Sequence, residues 1–212
     1  ADFAAYLADT VTNMSLSSQR SFRTAQDVVR AIDNCGGFPV PAHAFTPFRS
    51  VYGSAASSLG ELLGSEEKKV KFLELGLSAD TGLADHLPGN HRLAYLSNSD
   101  AHSTQKIGRE HNELLVAEPS CQELIMALQQ RQGRTVVANY GLDPRLGKYH
   151  RTYCRDCEHA AEEPPPVCSC ACCGSERVVM GVLDRVVQLA QATGTDGEKD
   201  VISFLDEGVE VR

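Results

Sequence analysis

The sequence predicts an α/β protein with parallel strands, followed by a small metal-stapled module. Three observations carry that reading. Helix-type and strand-type segments alternate between Thr24 and Ala138. Three strand-type segments end on residues suited to metal chemistry: His43, Glu74, and Asp100 with His102. Six of the eight cysteines fall between Cys154 and Cys173. Helix–strand alternation favours parallel pairing, and in such folds the carboxyl ends of the strands face the site.

In chain order, residues 1–23 carry weak signals, with DFAAYLADTV resembling the tail of a helix. From Thr24 the pattern sharpens. Thr24 and Asp27 suit a helix start, Ala25, Val28, Val29 and Ile32 recur at helical spacing, and Gly36-Gly37 stops the run. Residues 38–43 (FPVPAH) predict a short strand made irregular by its two prolines and ending on His43. A short helix is expected around Leu59–Leu63, a charged turn at 66–69, and a strand over 70–75 that delivers Glu74. Residues 78–90 read as loop. A further strand, Leu93 to Leu96, delivers Asp100 and His102.

Along an extended chain residues i and i+2 point to one side, so this carboxylate and imidazole can converge. Their donor chemistry suits zinc, manganese or iron. The bland alternative is an Asp-x-His turn with a surface histidine. Next come a helix over 120–132, with a Ser120/Glu123 capping box and a stripe of Cys121, Leu124, Ile125 and Leu128, and a strand over 134–138. Cys35 and Cys121 read as buried thiols, and His86, His91, His111 and His159 as surface or structural residues.

The formal net charge of −8 argues against nonspecific nucleic-acid binding. Yet Arg131, Arg134, Arg145, Lys148, Arg151 and Arg155 cluster with only Asp143 among them, a candidate phosphate-binding strip or a solvated face. With 42% apolar residues a true core is available, and no run is long enough for a membrane span. The chain begins with Ala and is expected to be a piece of a longer, cytoplasmic protein.

Cys154-x-x-Cys157 and Cys170-x-x-Cys173, with Gly174 after the second pair, form two tight knuckles that can aim four sulfurs at one structural zinc. Cys168 and Cys172 leave the register within the second group open. An amphipathic segment follows over 178–192, then an acidic tail or linker. The domain division expected is 1–146, a zinc-ribbon module with its following helix over 147–192, and the tail over 193–212.

The motifs PAHAFTPF (41–48), LELGLSAD (73–80), LSNSDAHSTQKIGRE (96–110), GKYH (147–150), the cysteine ribbon and GVLDRVVQLA (181–190) together resemble endonuclease Q-like proteins of the polymerase and histidinol phosphatase (PHP) superfamily. The resemblance covers most of residues 24–192. It implies part of a distorted PHP-type β/α barrel with a multinuclear centre of divalent metal (Zn, Mn or Mg), followed by a zinc-bearing appendage that helps hold DNA. It also implies cleavage of the DNA backbone 5′ of deaminated or abasic nucleotides.

By position His43, Asp100 and His102 match metal ligands, with Asp100 at the centre of the catalytic group. Glu74 and Arg109 match motifs assigned to site support and phosphate contact. Arg145, Lys148, His150 and Arg151 are the nucleic-acid-binding candidates. The superfamily's amino-terminal His-x-His pair has no counterpart before His43, so the chain is expected to be the carboxy-terminal portion, and inactive alone. Two rivals remain: a PHP phosphatase acting on a small phosphomonoester, and a non-catalytic zinc-ribbon module binding nucleic acid or protein.

Overall fold

Capping side chains start most of the helices. In the computed structural model, which describes residues 2–16 and 19–194, Asp2 caps α1 (Phe3–Ala8) and Thr24 caps α2 (Ala25–Asn34). Ser58 caps α3 (Leu59–Leu63), Asp80 caps α4 (Thr81–Asp85), and Ser120 caps α5 (Cys121–Leu128). Each side-chain oxygen accepts a first-turn N–H that has no partner inside its helix. In α2 the Thr24 hydroxyl also donates to Asp27 at 2.8 Å, closing the local motif read in the sequence.

Three two-stranded sheets account for the strands among the described residues, and no barrel closes. β1 (Phe72–Glu74) and β2 (Ala94–Leu96) pair in parallel, with Glu74 opposite Leu96, so both strands run out at one pole. β3 (His111–Leu115) and β4 (Thr135–Tyr140) are antiparallel, with a register shift between Glu113 and Leu114. β5 (Tyr153–Cys154) pairs with β6 (Val178–Val179) inside the cysteine module. The expectation of parallel strands holds for β1–β2 and fails for β3–β4. β3 carries His, Asn and Glu at its first three positions and so lacks the apolar signature by which strands are read.

Other expectations are corrected. Residues 38–43 form no regular strand, although Pro41 accepts from the Glu74 N–H at 3.1 Å and the Ala44 N–H reaches the Glu74 carbonyl at 2.9 Å. The segment lies along β1, and its two prolines lack the donors a ladder needs. Within the expected loop 78–90, α4 buries Leu83 and Ala84. α5 stops at Leu128, and Gln130 and Gln132 adopt left-handed backbone before Gly133. Its buried residues are Glu123 and Ala127, while Cys121 and Leu124 are exposed. Cys35 is half-buried rather than a core thiol. The segment over 178–192 divides into β6 and α6 (Val182–Ala192). Most of the acidic tail, residues 195–212, lies outside the described residues.

The core is one cluster. Phe45, Val51, Tyr52, Leu59, Leu63, Val70, Leu73, Leu75 and Leu83 pack with Val182, Leu183, Val186, Val187 and Leu189 of α6. Each such apolar side chain contributes about 1.5–3 kcal/mol when fully buried. The helix that follows the cysteines therefore belongs to the core near β1, and its Arg185 Nε donates to the Tyr52 carbonyl at 2.8 Å.

Candidate metal centre and nucleic-acid cleft

The shared exit of β1 and β2 is organised by one buried carboxylate. Glu74, 6% exposed, accepts from the His43 N–H at 2.5 Å through Oε2, and from the Gly76 and Asn98 N–H groups at 2.8 and 3.2 Å through Oε1. It thereby ties together the segment carrying His43, the end of β1, and the chain leaving β2. Asn112 of β3 fixes that same chain from the other side, accepting from the Ser97 N–H at 2.8 Å and donating to the Ser97 carbonyl at 3.0 Å. Nothing in the sequence singled out Asn112; its only signal is a side-chain amide, which can donate and accept at once, on a strand edge.

A cleft of about 1120 Å³ opens here, lined among others by His43, Phe48, Gly76, Ser78, Asp100, His102, Leu146, Lys148 and Tyr149. His43 and Asp100 both have positive φ, 35° and 41°. His and Asp visit this region more readily than bulky residues, at some cost in strain, and such strain concentrates at functional sites. Gly76, at φ +70°, sits so close to His43 that a Cβ there would lie 2.8 Å from the His43 Cβ.

The donor set suits a divalent cation. His43 Nδ1 is buried without a hydrogen-bond partner. His102 Nδ1 lies 2.8 Å from the Asp100 carbonyl, which sets that nitrogen as a donor and leaves Nε2 to bind. The three side chains share the cleft without being drawn into a cage. Among the described residues, the only group of three or more His, Cys, Asp or Glu with ligand atoms all within 4.8 Å is the cysteine set.

That set is Cys154, Cys157, Cys170 and Cys173. Sγ atoms of Cys154 and Cys173 are 3.7 Å apart, and those of Cys157 and Cys170 are 3.5 Å apart. N–H groups of Cys157 and Asp156 bring the Cys154 thiol down to about 7. Gly174, with φ +73°, donates to the Cys170 carbonyl and completes the second knuckle. Four sulfurs so placed can hold one metal ion such as zinc. Cys168 and Cys172 are exposed and lie outside this group.

No protein-family model matches the chain. Two proteins described only as uncharacterized are similar to it. YqxK of Bacillus subtilis (strain 168) is 41% identical over 189 residues, 89% of this chain and 48% of that protein. MJ0043 of Methanocaldococcus jannaschii is 35% identical over 195 residues, 87% of this chain and 22% of that protein. Among solved structures, the lesion-specific endonuclease PfuEndoQ from Pyrococcus furiosus superposes with a TM-score of 0.77 at 36% identity, covering 88% of this chain. The chain is similar to endonuclease Q over most of its own length. A second endonuclease Q structure, a complex with a 27-mer duplex substrate with an abasic lesion at its active site, gives the same TM-score at 35% identity. The chain spans 47% and 48% of those two proteins.

The basic strip is partly occupied. Arg134 forks onto buried Glu123, with Nε and Nη2 each 2.9 Å from a carboxylate oxygen. Arg145 is clamped by Asp143, and Arg151 turns inward to Asp184, which is fully buried. Burial and the adjoining Arg151 hold His150 below its ordinary value, so it is neutral at pH 7. Lys148 lines the cleft, and Arg155 lies over the Phe48 ring, 5.3 Å from its centroid. Arg109 lies outside the cleft lining; its Nε contacts buried Glu110 at 2.5 Å.

Proposed function

We propose that the chain is the carboxy-terminal part of a metal-dependent DNA endonuclease of the PHP superfamily, acting in repair. The parent protein would cut the backbone 5′ of deaminated or abasic nucleotides, in the cytoplasm. The observation that carries this reading is the superposition on PfuEndoQ at 36% identity and a TM-score of 0.77 over 88% of this chain; the cleft lined by His43, Asp100 and His102 supports it. In this reading residues 1–146 supply part of the β/α barrel, residues 147–192 the zinc-ribbon module and its helix, and residues 193–212 a tail or linker.

His43, Asp100 and His102 would hold a divalent ion (Zn, Mn or Mg) together with ligands from the rest of the protein. Such an ion supplies Lewis acidity and lowers the pKa of bound water. The Asp100 carboxylate is the anionic ligand of the set, and the imidazoles are neutral ligands. Glu74 acts as a positioning residue by fixing the main chain at His43 and Asn98. Lys148 and Arg49 are the cations on the cleft lining that could meet a phosphate. Arg109 is assigned an outer phosphate contact through its Nη groups, which Glu110 leaves free. Arg145, His150 and Arg151 act mainly by holding the 143–152 segment in place beneath the DNA. Phosphate contacts of this kind make affinity fall with salt.

The test is incision of an end-labelled duplex carrying one deoxyinosine by the full-length protein and its Asp100→Ala variant, with Mn²⁺ present. Cutting 5′ of the lesion by the wild type and its loss in the variant support the reading. Equal cutting by both removes Asp100 from the mechanism. Turnover of small phosphomonoesters without DNA affinity replaces the endonuclease by a phosphatase. One observation favours a non-catalytic ribbon module instead: among the described residues, only the cysteines are gathered tightly enough to form a cage. A metal count of one under saturating Mn²⁺ and Zn²⁺ would favour that module.

A further inference from the structure

The cleft lining carries three exposed apolar side chains. Phe48 is 53% exposed, Leu142 47% and Leu146 79%, and all three line the same cleft as Asp100 and His102. Single exposed apolar residues need no explanation, but a group of them around a functional cleft marks a binding surface. The backbone of Phe48 is also held at φ +75°, a conformation bulky residues rarely adopt. Its ring is fixed on two sides, by the Arg155 guanidinium 5.3 Å from its centroid and by the Tyr149 ring, edge-to-face at 6.4 Å. Leu146 ends a short 3₁₀ turn anchored by buried Pro144 and by the Asp143–Arg145 ion pair. Both side chains are therefore presented on braced backbone rather than on loose loops.

We propose that Phe48 and Leu146 are the residues that hold a DNA lesion open: the Phe48 ring takes the face of an unstacked nucleobase, and Leu146 wedges the gap left in the duplex. This deepens the endonuclease reading and rests on it. The chemistry selects a nucleobase over another apolar ligand because cations flank the surface. Arg155 backs the Phe48 ring, and the Lys148 ammonium lies 5.4 Å from the Tyr149 centroid, so each ring carries a cation beside it. An aromatic face beside cations is the arrangement that binds single-stranded or extruded nucleotides, and aliphatic wedges unstack base steps. A damaged or missing base lowers the cost of opening, so a wedge of this kind favours lesions without reading their edges.

The test uses the full-length protein with Asp100→Ala as a non-cutting background. The probe is a duplex with one abasic site and 2-aminopurine beside it, compared with the undamaged duplex. Affinity for the lesion duplex should fall about 5- to 100-fold in Phe48→Ala and persist in Phe48→Tyr, which keeps the ring. The rise in 2-aminopurine fluorescence on binding should shrink in Leu146→Ala. The salt dependence should stay unchanged in both, and should flatten only in Lys148→Ala. Leu146 is mostly solvent-exposed, so that variant folds and decides the matter even where Phe48→Ala does not. Wild-type affinity and fluorescence in Leu146→Ala and Phe48→Ala would overturn the proposal while leaving the endonuclease reading intact. A protein that binds neither duplex overturns both.

Discussion

The His43 main-chain N–H donates to the Glu74 carboxylate at 2.5 Å, and the same carboxylate holds the N–H groups of Gly76 and Asn98. One acid thus fixes the three backbone segments that carry the candidate ligands. A buried N–H left without an acceptor costs about 1–3 kcal/mol. Glu74→Gln replaces one accepting oxygen by an amide donor, so unfolding in denaturant should show a loss of about that size or somewhat more, with weaker metal binding at the cleft. Unchanged stability would show that Glu74 does not organise the floor.

Gly76→Ala tests the same floor from the steric side. Its new Cβ would lie 2.8 Å from the His43 Cβ, at a φ of +70° that alanine tolerates poorly. The expected cost is about 1–3 kcal/mol, with the His43 ring displaced in the histidine side-chain NMR spectrum.

The cysteine module should carry a single zinc. Cys157→Ser should abolish it, while Cys168→Ser and Cys172→Ser leave the zinc count unchanged. Arg151→Ala should lower the melting temperature, since Asp184 would keep its bonds to the Thr152 and Val167 N–H groups, both 2.9 Å, but lose its countercharge. Removing one partner of a buried pair costs about 3–5 kcal/mol, discounted here because Arg151 is 22% exposed.

Tyr52 sets an alkaline limit. Burial pushes its phenol up to about 12 from an ordinary value near 10, and its hydroxyl donates to Asn90. The folded state holds this proton more tightly than the unfolded chain. Its contribution is therefore present in full below pH 10 and is lost as pH rises through about 12. The stability difference between wild type and Tyr52→Phe, measured by denaturant unfolding from pH 9 to 11, should narrow with rising pH.

Local signals made part of this legible in the sequence. Thr24 and Ser120 are caps whose partners lie three residues away, and the C-x-x-C spacings carry their own geometry. The parallel β1–β2 pair follows from its apolar runs. Pairings between distant segments were not legible: Arg134 with Glu123, Arg151 with Asp184, and the antiparallel return of β4 onto β3. The strip of basic residues looked largely unopposed because the partners of Arg134 and Arg151 lie outside that stretch of chain. At the site, a shared cleft for His43, Asp100 and His102 could be read from strand ends, but the hold of Glu74 and Asn112 on the backbone could not.

Manganese-edge anomalous scattering from crystals of the full-length protein tests the central claim most directly. The account predicts a peak in the cleft in contact with His43, Asp100 and His102, separate from the zinc at the four cysteines and absent in the Asp100→Ala variant. Metal at the cysteines alone, with the cleft empty under saturating Mn²⁺, would contradict it.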